Sequence, residues 1–218
     1  MRLFIMALLL SIAVHAGQKF PLVVGGSTNY VKLDSIDGVK LNGTTLVWDD
    51  FPPFFLGAAK NNGQTGAPAL IADGRGFSHH RFGIGDSLEG NIEHTHKFVA
   101  GDTIHFHVHW LTNGKEAGAT FVNWSIHYIV ANIGDTITYT NTITKQDTIA
   151  ANTPSLTPKY TEIGEVPTPS VMIGAYVIVV FKRIAASPAT NPAANPFALA
   201  VGIHKKIDMM GSKMETTK

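Results

Sequence analysis

Hydrophobic and polar residues alternate with a period of two along much of this chain, the pattern of β-strands that bury one face. The pattern is clearest over residues 103–110, where Ile104, Phe106, Val108 and Trp110 share one face and Thr103, His105, His107 and His109 the other. Residues 121–130 repeat it, with Val122, Trp124, Ile126, Tyr128 and Val130 on one side and Asn123, Ser125 and His127 on the other. An antiparallel pairing of these two strands with apolar faces together predicts His127 across from His105 or His107. Residues 136–148 alternate Thr with Ile or Tyr, as a half-exposed or edge strand does. Residues 170–184 are apolar and rich in β-branched side chains, which predicts a central strand covered on both faces rather than a helix.

Further strands are predicted over 82–92 and 197–207. The stretch 39–48, with Asn42-Gly43 inside it, reads as a hairpin closed by a type I′ turn. Asp49-Asp50-Phe51-Pro52-Pro53 then reads as the stop of its second strand. Gly-rich or Pro-rich loops fill 61–76, 111–119 and 185–196, and four prolines make 153–169 a crossing loop or a pair of edge segments. No long helix or tandem repeat is visible. Some eight strands at this spacing predict an all-β, single-domain, jelly-roll-like antiparallel β-sandwich with long loops over residues 18–213, ahead of a polar tail at 214–218.

Residues 1–17 stand apart. Arg2 precedes an apolar run over 3–14, and Val14-His15-Ala16 leads to Gly17. That reads as a secretory signal peptide, or else as an apolar arm that packs on a neighbouring subunit; the run is too short for a stable membrane span. Composition narrows the partners. The net charge is +1 with no basic cluster, which argues against nucleic acid. There are no cysteines, so disulfides, thiolate metal sites and cysteine nucleophiles are excluded. Charged residues make up only 15%, which leaves much of the surface suited to protein contacts.

The candidate chemistry lies on the histidine face. His105, His107 and His109 project side by side and, with His127, form a candidate metal site; His79, His80, His94 and His96 are further candidates to complete it. A cupin-like metalloenzyme is one alternative, since Glu93-His94-Thr95-His96 followed by Asp102 and His109 is superficially similar to a cupin ligand set. However, the downstream glutamate of such a set is missing from 97–104, and its ligands must converge inside the barrel. The favoured reading makes the histidines structural members of a polar strand face at a subunit contact, with no catalytic residue and no cofactor. A structural metal where symmetry gathers one histidine from each subunit is the exception left open. Trp48, Trp110 and Trp124 suggest a glycan platform in a secreted sandwich, but Trp110 and Trp124 fall on inferred core faces. Gly83-Ile84-Gly85-Asp86 and Gly74-Arg75-Gly76 read as turns, because the strand-to-helix context of a phosphate loop is missing.

Several short motifs, in order, resemble a family of bacteriophage virion-associated β-sandwich structural proteins. They are Trp48-Asp49-Asp50, then Phe106-His107-Val108-His109-Trp110, then Trp124 and Tyr128, then Gly202-Ile203-His204, and finally Asp208-Met209-Met210-Gly211-Ser212. The resemblance spans residues 45–213. Phe106 stands where that family has proline, and Lys205 where it has an aromatic residue. The resemblance implies structural roles for Trp48, His107, His109, Trp110, Trp124, Tyr128, His204, Asp208, Gly211 and Ser212. It also implies a non-enzymatic virion component of capsid, tail or fibre. Such a protein would work as a homo-oligomer, for example a trimer, in contact with other virion proteins. The alternative location is extracellular, after signal-peptide cleavage.

Overall fold

The computed structural model describes residues 23–25, 30–34, 38–42, 47–51, 54–55, 66–95, 97–99, 101–137, 141–168 and 171–208. The signal-like segment 1–17, the motif residues Gly211 and Ser212, and the 214–218 tail lie outside them. Among the described residues there are fourteen strands and no helix. They are β1 (Val23–Gly25), β2 (Tyr30–Asp34), β3 (Gly38–Asn42), β4 (Val47–Phe51), β5 (Phe54–Phe55), β6 (Ala69–Ala72), β7 (Ser78–Arg81), β8 (Ser87–Glu93), β9 (Thr103–Leu111), β10 (Thr120–Ala131), β11 (Asn141–Ile149), β12 (Pro158–Pro167), β13 (Tyr176–Ile184) and β14 (Phe197–Ile207).

The chain divides into two compact units. One contains the antiparallel sheet β1-β2-β3, so the predicted 18–213 domain includes a small separate sheet. The other runs from Trp48 to Thr95 and from Val99 to Lys206. It is a sandwich of a five-stranded sheet, β11-β10-β13-β8-β5, and a six-stranded sheet, in which β12-β9-β14-β7-β6 run in order and β4, paired with β14, is the sixth strand. Strands β7 to β14 pair as nested antiparallel partners: β10 with β11, β9 with β12, β8 with β13, and β7 with β14. This is one long hairpin rolled into two sheets, the jelly-roll winding.

The alternation of apolar residues dictates the interior. Ile104, Phe106, Val108 and Trp110 of β9 face Val122, Trp124 and Ile126 of β10, and all are buried. Trp124 stacks on Phe181 at 5.0 Å, while Phe82 and Trp110 approach Trp124 edge-on at 5.8 and 5.9 Å. Rings fill the centre of the sandwich. The buried Trp110 indole N–H donates to Thr161 Oγ1 at 2.9 Å, and that hydroxyl donates to Asp147 Oδ2 at 2.7 Å, which ties β12 to β11 where the two sheets meet. Two cations are also enclosed: Lys205 donates to Thr168 Oγ1, and Arg183 donates to the Phe82 carbonyl and to Asn195 Oδ1, with burial pushing its guanidinium down to about 10, opposed by the Asp86 carboxylate.

Several local expectations need correction. β9 and β10 lie in different sheets, because the nested winding pairs β9 with β12 and β10 with β11 and β13, so His127 does not stand across from His105 or His107. Instead it faces Thr142 and Val180. Of the predicted 39–48 hairpin, residues 43–46 lie outside the described residues, and its two flanking strands pair elsewhere, β3 with β2 and β4 with β14. Residues 47–51 form a strand rather than a stop. β13 is central in its sheet but covered on one face only: Val177, Val179, Phe181 and Arg183 are buried, whereas Tyr176 is exposed and Lys182 half-buried. Phe82 precedes β8 and is a core residue outside any strand.

Candidate functional site

Strand alternation that sends Trp110 inward sends His105, His107 and His109 to the outer face of the six-stranded sheet. Their cross-strand neighbours define the site. On one side, His105 lies opposite Glu165, His107 opposite Glu162 and His109 opposite Tyr160 of β12. On the other, they face His204, Gly202 and Ala200 of β14. Gly202 offers no side chain against His107, and the ring of His204 stacks on His107 with centroids 4.2 Å apart. His109 and Tyr160 approach the same imidazole at 5.2 and 5.4 Å. His107 therefore points out of the sandwich, yet its neighbours leave it only 1% exposed.

The lower part of the face is polar. His105 Nδ1 lies 3.2 Å from Glu162 Oε1 and 3.6 Å from Glu165 Oε1. Trp48 of β4 places its ring edge-on to His105 at 4.9 Å, and Lys206 Nζ sits 4.9 Å above the Trp48 ring and 3.7 Å from Asp102 Oδ1. Glu162 and Glu165 are three apart, which in a regular strand puts them on opposite faces. A β-bulge between Glu162 and Gly164 reverses that: Ile163 turns inward and both carboxylates come to the His105 side. Gly164 has φ 152°, a conformation that side chains rarely adopt, so glycine fits the bulge.

The four predicted metal ligands thus separate. His105, His107 and His109 share the outer face of one sheet, whereas His127 lies on the outer face of the other. There Thr142 Oγ1 is 3.1 Å from its Nδ1, and burial, then repulsion from Lys182, push its imidazole below the usual histidine range. His79 pairs instead with Asp73 at 3.3 Å, and His94 is buried at the end of β8. His96 is outside the described residues. His109 faces outward, so it does not converge with His94 inside the barrel as a cupin ligand set requires. The motif residues Trp48, His107, His109 and His204 meet on one face, and Trp110 meets Trp124 in the interior. Tyr128 is half-buried on β10, and Asp208 follows β14.

Glu162, Glu165 and Tyr160 were not among the predicted site residues, because 153–169 reads from its prolines as a crossing loop or edge. The available signal was Gly164 amid alternating residues, since an isolated glycine in a strand marks a bulge.

No family model matches the chain, and no curated protein matches it. Among solved structures, one match is titled "Structure of infectious bursal disease virus Gt strain", 12% identical with a TM-score of 0.29. The match covers 86% of this chain and 42% of that one, so this chain spans under half of its length.

Proposed function

We propose that this protein is a non-enzymatic structural component of a phage or phage-like particle that acts by assembling with copies of itself and with other virion proteins. One observation carries the proposal. Trp48, His107, His109 and His204, drawn from three widely separated motifs of the phage-like set, lie on a single outer face, as a shared contact surface would require. The ring-filled interior and the exposed apolar side chains Leu70, Phe77, Ile133 and Met172 on hairpins and loops also suit a subunit that acts through contacts rather than catalysis.

The test is mass photometry of the purified full chain, together with negative-stain microscopy of particles from the native source using an antibody to the chain. The expected result is a defined closed oligomer that survives chelation, and label on particles. A monomer at all concentrations together with no particle label would overturn the proposal.

A further inference from the structure

We infer that His105, Glu162 and Glu165 form a divalent metal site, best suited to zinc, with at least one coordination position open to solvent. One imidazole nitrogen and two carboxylate oxygens lie within 4.8 Å of one another. Zinc bonds to nitrogen and oxygen at about 2.0–2.1 Å, so adjacent ligands of a tetrahedral ion stand about 3.4 Å apart. The two separations from His105 Nδ1, 3.2 and 3.6 Å, bracket that value. Two of the three ligand separations thus suit a tetrahedral ion, and the third, between the carboxylates, lies within 4.8 Å, a gap that rotation of the two glutamate side chains can adjust.

The surroundings hold these ligands in place. His105 sits on β9, which is hydrogen-bonded on both sides, and the Trp48 ring stands against it. Glu165 is its direct cross-strand partner, and the bulge brings Glu162 to the same side. The donor set also selects the ion. An imidazole beside two carboxylates suits a first-row transition ion, whereas calcium and magnesium prefer oxygen throughout. The two carboxylate side chains are 52% and 61% exposed, so the remaining position faces water and can take a ligand from outside the chain.

The same geometry also describes His105 hydrogen-bonded to the carboxylates without an ion, and the experiment separates the two. Calorimetric titration of the EDTA-stripped full chain with zinc chloride should show one ion per chain. Cobalt substitution should give the intense visible bands of a four-coordinate site. Loss of an outer-shell partner alone weakens metal binding roughly 10–100-fold, so Glu162→Gln, Glu165→Gln and His105→Gln should each weaken it at least that much. His109→Gln should leave it unchanged, and circular dichroism should show every variant folded. No zinc uptake by the wild type would overturn the inference. So would uptake that survives Glu162→Gln with Glu165→Gln but is lost in His109→Gln, since the ion would then sit on the ring cluster around His107.

Discussion

The two outer faces of the sandwich carry the same residue type on the same strand pattern, with opposite results. On the six-stranded sheet, His105 and His107 meet carboxylates and other rings, and His107 is buried although it points outward. On the five-stranded sheet, His127 meets a threonine hydroxyl, Val180 and the Lys182 ammonium. Alternation places a histidine outside. Cross-strand neighbours, up to a hundred residues away in sequence, then decide whether it becomes part of a cluster.

Four substitutions and a pH titration test this contrast, from the largest effect to the smallest. Trp124→Ala removes the indole at the centre of the shared ring core and should cost about 3–5 kcal/mol in denaturant unfolding. Both faces should melt in that same transition; separate transitions would mean that the sheets do not share one core. His107→Ala removes a stacked, buried ring and should cost about 1–2 kcal/mol, whereas His127→Ala should stay within about 0.5 kcal/mol. Equal costs would erase the distinction between the faces.

The pH titration reads the smallest effect. Because the folded state lowers the affinity of His127 for a proton, the unfolded chain binds more protons near the ordinary value of 6.5. Its contribution is therefore fully present above that pH and is lost as pH falls through 6.5 and below. His127→Gln should flatten that part of the stability-against-pH curve, and an unchanged slope would contradict the assignment.

The sequence made the sandwich readable because its core strands alternate cleanly: β9, β10 and β14 fall where the pattern of Trp110, Trp124 and Ile203 puts them. Strand partners were much less readable. A period of two says which face a residue occupies and nothing about which sheet its strand joins, so His127 was grouped with residues of the other layer. The carboxylates were hidden for a related reason, since one residue of bulge inverts the parity that relates Glu162 to Glu165. The strand pairing of the Asn42-Gly43 hairpin was not readable either, since β3 pairs with β2 and β4 with β14.

The nested pairing of β7 to β14 also has a kinetic consequence. Within this nested set β10 and β11 are the partners nearest in sequence, while β7 and β14 join segments more than a hundred residues apart. Closing a loop costs entropy that grows only with the logarithm of its length, but a topology dominated by distant contacts folds slowly. The chain should zip from the β10–β11 turn outward, with the β7–β14 ladder closing last. Refolding should then be slow, on the order of milliseconds to seconds, and hydrogen exchange pulsed during refolding should protect Ser125 and Thr144 before Phe197.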